Sequence, residues 1–327
     1  MPNAIITAVS GYVPEQILSN LDLEKIMDTS DEWIRTRTGI EERRVMPSDQ
    51  AVTEIGVRVT EDILAKSGVD PSSIDLVICA TCTADYILPD SANGICKRAG
   101  LKKAFGFDLN AACSGFVYAL YTGSQFVQTG AYRRVLVIGA EKLTSYMNYA
   151  DRTTSIIFGD GGGGVLLEPS DDDELGIMDA VLCGDGDGVN HLRITSGGSL
   201  VPTTEDTLSR NEQYLFQDGK SVFKRAVKGM TETIQAVMER NALAPDDIRW
   251  LVPHQANLRI IKSVADQVDF PMERIMVNIE KYGNTSAGTI PLCLWEYEDQ
   301  MKKGDGIMLT AFGGGFTWGS LFLRWAY

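Results

Sequence analysis

The sequence predicts an α/β protein made of two similar halves, residues 1–168 and 169–327. Three observations carry that reading: segments with strand-like and helix-like periodicity alternate along the chain, a supersecondary pattern recurs in the second half, and the 327 residues, 44% of them apolar, suffice for two cores. Strands are expected at Ile5–Ser10, Leu76–Ala80, Phe105–Leu109, Val135–Gly139, Gly164–Leu167, Arg249–Val252, Met276–Ile279, Ile307–Ala311 and Leu321–Trp325. Long helices are expected at Thr53–Ser67, Cys113–Thr129, Ser221–Asn241 and Leu258–Gln267. The acidic run Ser170–Glu174 and the Gly/Ser/Thr-rich stretch Gly184–Asp206 read as solvated loops.

The repeat is visible in two places. LAKSGVDPSSIDLVICA, from Leu64, matches MERNALAPDDIRWLVPH, from Met238, at a spacing of 174, so that Pro71 meets Pro245 and Ile74 meets Ile248. A second match, at a spacing of 172, pairs Ser114–Gly115 with Ser286–Ala287 and Val135–Gly139 with Ile307–Ala311. Two related halves stacked on one another would bring equivalent elements together near a pseudo-twofold axis.

The net charge of −14 argues against a general nucleic-acid binder. The start, MPNAIITAVSGYVPE, reads as a first strand and lacks the basic and apolar regions of a secretory signal. No apolar run approaches the roughly 18 residues of a membrane span. A cytoplasmic protein with reduced thiols is expected. The six cysteines form no dense framework, and Cys79 and Cys82 make a lone CxxC inside a buried strand with no second pair or His at zinc spacing. No metal site is expected.

Cys113 lies in LNAACSGFVYAL, where a strand ends, small residues turn and an apolar helix begins. Unpaired N–H groups and the positive end of the helix dipole there would lower its pKa. Position alone fits a small buried core cysteine at least as well. His254, one of two histidines, tips the balance, because it follows the strand RWLVP, at the strand end where α/β folds place their sites. His191 has no such context and reads as structural. Asn284, in YGNTSAGTIPL, is the second-half counterpart of Cys113 to within a residue, and is either an N-cap or an amide donor aimed into a site. FGDGGGG, Phe158–Gly164, lacks both the P-loop ending and the dinucleotide spacing, and suits close backbone packing instead. The glycine turn in AFGGGFTWGS could aim a backbone N–H into the site.

With these residues in place the chain resembles the β-ketoacyl-acyl carrier protein synthase III family, the initiating condensing enzymes of type II fatty acid synthesis. The resemblance runs nearly end to end through TSDEWIRTRTGIEER, AACSGF, DRTTSIIFGDG, VPHQANLRII, YGNTSAG and AFGGGFTWGS. It implies a thiolase-like fold with a layered αβαβα core, a homodimer, and no cofactor, acyl-coenzyme A and malonyl-acyl carrier protein being substrates. It assigns the acyl group to Cys113, an oxyanion hole to the N–H groups of Cys113 and Gly314, and enolate stabilisation to His254 and Asn284. His254 should be neutral and protonated on Nε2. Trp33, Arg37 and Arg152 would hold the adenine end of coenzyme A. Phe223 and Asn257 would line the pantetheine tunnel, and Leu88, Leu143 and Phe158 the acyl pocket. Lys220, Lys224, Arg225, Lys228, Arg259 and Lys262 would form the basic patch that docks an acidic carrier protein. Asp266 is a departure, since better-known members carry Lys there.

Three other readings compete. A starter-specialised or secondary-metabolite condensing enzyme would share every motif. Elongating synthases use two histidines, and degradative thiolases need a second cysteine in the last glycine motif, which is absent here. From other classes, a Cys–His–Asn thioester hydrolase would need water at the acyl-thiol, and a non-catalytic carrier-binding protein would not need all three polar residues.

Overall fold

The computed structural model describes residues 2–327; Met1, the first residue of the predicted N-terminal half, lies outside them. Two twisted sheets dominate. The first contains β1 (Asn3–Tyr12), β2 (Leu76–Ala80), β3 (Phe105–Leu109), β4 (Val135–Lys142) and β5 (Asp160–Ser170), in the order β1-β5-β4-β2-β3. The second contains β6 (Gly176–Gly184), β7 (Trp250–Pro253), β8 (Gly306–Gly313) and β9 (Thr317–Arg324), in the order β7-β8-β9-β6. The pairs β2–β3, β2–β4 and β7–β8, toward the β3 and β7 edges, are parallel and the pairs toward the β1 and β6 edges antiparallel, so both sheets follow one plan.

Five layers result. The helices α1 (Val52–Ser67), α2 (Gly115–Gln128), α3 (Gly219–Arg240), α4 (Leu258–Gln267) and α5 (Thr289–Glu296) divide between inside and outside. α2 and α5 lie between the sheets, where Phe116, Leu120, Ile290 and Leu294 pack with Val137 and Val165 on one side and Val252 and Leu309 on the other. This explains their composition: a helix walled in on both faces has no polar stripe. α1 covers the outer face of the first sheet and α3 and α4 that of the second. These three are amphipathic because one side meets water. The layered αβαβα core expected from the resemblance is present.

The main departures from the sequence reading have local causes. β6 and two short two-stranded ribbons (Ile17–Ser19 with Glu42–Arg44, and Leu192–Ile194 with Leu215–Gln217) fall where no strand was expected. The segment expected as strand Met276–Ile279 is not one: the bridge from Leu251 to Ile275 falls just before it, and a short helix begins at Ile279. The glycines of Phe158–Gly164 mostly belong to β5. A Cβ on Gly162 would lie 2.4 Å from the Gly139 carbonyl, so the run serves close backbone packing, as expected. The 168/169 boundary falls inside β5, and we propose moving it to the acidic link between β5 and β6. Among the described residues no helix is long and apolar enough to cross a membrane.

The repeat is cleaner in three dimensions than in sequence. The short turns Pro71–Ser73 and Pro245–Asp247 are equivalent, and so are Ala112–Ser114 and Ser286–Gly288. Ala112 and Ser286, which open the second pair, share a left-handed backbone with φ of 46° and 49°. The turns therefore share the spacing of 174 seen in the first match, which corrects the 172 expected for them, while the sheet registers keep Val135–Gly139 opposite Ile307–Ala311 at 172 as expected. Cys113 corresponds to Ala287, and Asn284 to Asn110. Asn284 approaches Cys113 because the two turns pack together, not because it occupies the equivalent position.

Candidate active site

Cys113 lies on the turn between β3 and α2. The turn is tied to β9 by Ser114, whose Oγ is 2.7 Å from Thr317 Oγ1 and donates to the Ala111 carbonyl at 2.9 Å. Glycine is required opposite: a Cβ on Gly313 would lie 2.6 Å from the Cys113 amide nitrogen. Gly314 follows in the chain, and a Cβ on it would face Leu192. Among the described residues the Gly314 N–H finds no acceptor, as an oxyanion donor requires.

His254 follows β7, and its N–H donates to the Thr310 carbonyl at 2.8 Å. Its ring is buried, with Nδ1 2.7 Å from Thr289 Oγ1. Burial without a nearby carboxylate pushes its pKa down to about 3, so the imidazole is neutral, as expected. Asn284 is held between two residues of the opposite half: its N–H donates to the Ile157 carbonyl at 2.9 Å, and its own carbonyl accepts from Gly159 at 3.1 Å. Its Oδ1 accepts the Ser286 N–H at 2.7 Å. With the oxygen so used, the amide NH2 is the end left for the cavity.

Cys113, His254 and Asn284 line one cavity of about 530 Å³. Arg37, Phe158, Lys220, Phe223, Asn257 and Arg259 line it as well. Asn257 caps α4 through the Arg259 N–H at 2.9 Å and donates from Nδ2 to the Arg37 carbonyl at 3.0 Å, which ties two walls together. Trp33 and Arg152 stand outside the lining. The Arg152 guanidinium lies 5.0 Å from the Trp33 ring centre and that of Arg37 5.7 Å from it, a cation–π stack adjoining the cavity.

Two of the three expected acyl-pocket residues fall elsewhere. Leu143 is buried behind Phe158 in a small cluster with Met147. Leu88 is 86% exposed and lies on a separate groove with Cys82 and Tyr146. The basic patch is also uneven. Arg225 pairs with Asp185 at 3.3 Å and Lys228 with Glu232 at 3.7 Å. Among the described residues Lys220, Lys224, Arg259 and Lys262 have no carboxylate in ion-pair range. Arg259 rests on the Phe223 ring at 5.7 Å. His191, read as structural, pairs with Asp218 at 3.0 Å.

The expected sign of the Cys113 shift is corrected. Burial pushes the thiol up to about 12, with the Glu141 carboxylate adding to the rise and the Ser286 hydroxyl opposing it. Among the described residues no cation offsets the desolvation, which favours the thiol over the thiolate at Cys113. Sequence reasoning also missed three buried residues around it: Thr289, Ser286 and Glu141. For Glu141 a signal existed, since it is the lone acid, at the end of the mostly apolar strand β4, all of which is buried. Thr289 and Ser286 look like ordinary turn residues until the fold brings the second turn against the first.

Known proteins match the chain along nearly its whole length. The chain matches the family described as 3-oxoacyl-[acyl-carrier-protein (ACP)] synthase III over residues 107–186, and its C-terminal part over residues 238–325. It is 48% identical over 326 residues to the beta-ketoacyl-[acyl-carrier-protein] synthase III of Porphyromonas gingivalis, covering 99% of this chain and 97% of that one. It is 47% identical, with the same coverage, to beta-ketoacyl-[acyl-carrier-protein] synthase III 2 of Bacteroides thetaiotaomicron. The crystal structure of 3-oxoacyl-(acyl carrier protein) synthase III from Pseudomonas aeruginosa PAO1 superposes with a TM-score of 0.91 at 36% identity, covering 99% of each chain. The thiol, imidazole and amide thus converge within a fold and sequence shared along the whole length, and the chain belongs to the 3-oxoacyl-[acyl-carrier-protein] synthase III family.

Proposed function

We propose that the chain is an acyltransferase that condenses an acyl-coenzyme A starter with malonyl-acyl carrier protein to give 3-oxoacyl-acyl carrier protein, with Cys113 as the acyl acceptor, as the initiating step of fatty acid synthesis. The observation that carries the reading is the convergence of Cys113, His254 and Asn284 on one cavity, with the amide NH2 of Asn284 left for a ligand.

In the first half-reaction Cys113 sulfur attacks the acyl thioester. The oxyanion forms against the N–H groups of Cys113 and Gly314, the bond to coenzyme A sulfur breaks, and the thiol proton ends on the departing coenzyme A. In the second, the bond between the malonyl carboxylate and the α-carbon breaks. Its electron pair passes into an enolate, whose oxygen accepts from His254 Nε2 and Asn284 Nδ2. The α-carbon attacks the acyl-Cys113 carbonyl, and Cys113 leaves as a thiolate that takes up a proton. A neutral His254 suits this role, because a donor that stays neutral does not protonate the carbanion it shelters. No metal or cofactor takes part.

Coenzyme A would run from Cys113 past Phe223 and Asn257 toward Arg37, with its adenine stacking on Trp33. At 5.0 Å Arg152 leaves no room for a ring over Trp33, so it swings aside to admit one. Carrier protein would dock on Lys220, Lys224, Arg259 and Lys262, with the paired Arg225 and Lys228 contributing less. The exposed Tyr86, Ile87 and Leu88 would be covered in a homodimer, through which Leu88 reaches an acyl pocket that it does not line in its own chain. The enzyme would work in the cytoplasm, where the carrier protein is found.

The test is to add labelled acyl-coenzyme A and then malonyl-carrier protein. Stable acylation followed by carbon dioxide release and a 3-oxoacyl product is expected. Hydrolysis without condensation, or no acylation, would reject the reading.

A further inference from the structure

Glu141 is fully buried at the end of β4 and takes no part in the chemistry above. Its carboxylate is surrounded by donors. The Thr81 hydroxyl is 3.1 Å away, the Cys82 N–H 3.1 Å from both oxygens, the Cys82 thiol 3.3 Å and the Ser286 hydroxyl 3.0 Å, with the Thr83 hydroxyl bonded as well. Among the described residues no Lys, Arg or His pairs with it. Lys142, the next residue, turns away and donates to the carbonyls of Pro47 and Gln50. A buried carboxylate without a cation is costly, and a cage of donors is what makes it tolerable.

Ser286 is the joint between that carboxylate and the site. Its hydroxyl donates to Glu141. Its N–H donates to Asn284 Oδ1 at 2.7 Å. Its carbonyl lies 3.0 Å from Thr289 Oγ1, the same hydroxyl that meets His254 Nδ1. Its backbone is left-handed, a strained state for a serine that the surroundings must enforce. One residue thus touches the supports of both enolate donors, and one carboxylate anchors it.

We propose that Glu141 is a positioning residue for the condensation step: by holding the Ser286 hydroxyl it fixes where Asn284 and His254 present their donors relative to Cys113. This rests on the condensing function proposed above. It gives Glu141 two effects of opposite sign. Its carboxylate aids condensation through geometry, yet its negative charge opposes ionisation of the nearby Cys113 thiol. The other titratable groups that feel this charge are Cys79, Cys82 and Tyr146.

Glu141→Gln separates the two effects. A glutamine amide presents an NH2 where every neighbour is already a donor, so the Ser286 hydroxyl loses its fixed acceptor. The expected result is condensation slowed by about tenfold to a hundredfold, the range for an ångström-scale misplacement. At the same time Cys113 should be alkylated by iodoacetamide faster at pH 7.5, by up to about tenfold for one unit of pKa. Simple loss of structure would also expose Cys113 and lower its pKa, so the comparison requires that Glu141→Gln keep the wild-type urea unfolding midpoint and acylation rate. Ser286→Ala should match the condensation loss, and the double variant should be no worse than either single one. The inference is overturned if Glu141→Gln condenses at the wild-type rate, if its alkylation profile does not shift to lower pH, or if the two substitutions add. A wild-type enzyme that acylates and condenses while these outcomes fail removes this inference alone; a wild-type enzyme that does neither removes the proposed function.

Discussion

Replacing Thr289 by valine removes one hydroxyl and keeps the shape. That hydroxyl has one proton and two neighbours, Ser286 carbonyl at 3.0 Å and His254 Nδ1 at 2.7 Å. If the proton goes to the carbonyl, Nδ1 must donate, and Nε2 carries a lone pair. If it goes to Nδ1, Nε2 carries the proton, which is the form that enolate stabilisation needs. The Ser286 carbonyl loses little in the second case, because it still accepts the Thr289 backbone N–H. In Thr289→Val the ring is therefore the group left unsatisfied. One buried polar group without a partner costs about 1–3 kcal/mol. If that cost falls on the decarboxylation transition state, the rate drops by about tenfold to a hundredfold. The assay follows the half-reactions separately, with release of coenzyme A on acylation and of carbon dioxide from malonyl-carrier protein. Carbon dioxide release should fall while acylation changes little, and Thr289→Ser should restore it. Wild-type carbon dioxide release by a folded Thr289→Val, or equal damage from Thr289→Ser, would refute the role given to this bond.

Other expectations follow from the same geometry. The His254 imidazole titrates near 3 when folded and near 6.5 when free, so below 6.5 the unfolded chain binds a proton that the folded chain refuses. Its contribution to stability is therefore complete above pH 6.5 and is lost as pH falls toward 3, by about 2 kcal/mol at pH 5. Urea unfolding at pH 7.5 and pH 5 should show that extra loss in the wild type and not in His254→Asn; parallel losses would mean the ring is not held neutral. Lys224→Glu should raise KM for malonyl-carrier protein more than Lys228→Glu does, because Lys228 already has Glu232 beside it, and added salt should narrow the gap. Equal effects would remove the distinction. Leu143→Ala should lose about 2–5 kcal/mol of stability as a buried leucine, measured by denaturation. Leu88→Ala should change the preferred starter length in a panel of acyl-coenzyme A substrates with little change in stability; an unchanged preference would place Leu88 outside the acyl pocket.

Much of the fold was legible because its signals are local. β2, β3 and α4 were bounded correctly from periodicity alone. β6 was missed because the glycine-rich sequence near its end resembled a loop, and only pairing with β9 makes it a strand. Cys113 and His254 were legible because each follows the end of a strand; Asn284 instead follows the short helix Ile279–Tyr282 and stood out only through the repeat. Two things were not. The alignment of Asn284 with Cys113 slipped, since small residues fit a spacing of 172 as well as 174, and only the left-handed backbone of Ala112 and Ser286 decides between them. The ionisation of Cys113 was misjudged because a helix start is visible in sequence, whereas burial beside a carboxylate from a distant strand is not.

The central claim is that Cys113 carries the acyl group and that His254 and Asn284 discharge it. Intact-mass measurement tests it directly. Wild-type enzyme mixed with acyl-coenzyme A should gain the mass of one acyl group, mapped to the Cys113 peptide, and lose it when malonyl-carrier protein is added. A variant carrying both His254→Ala and Asn284→Ala should gain the acyl group and keep it. Acylation of Cys113→Ala, or discharge by the double variant at the wild-type rate, would contradict the account.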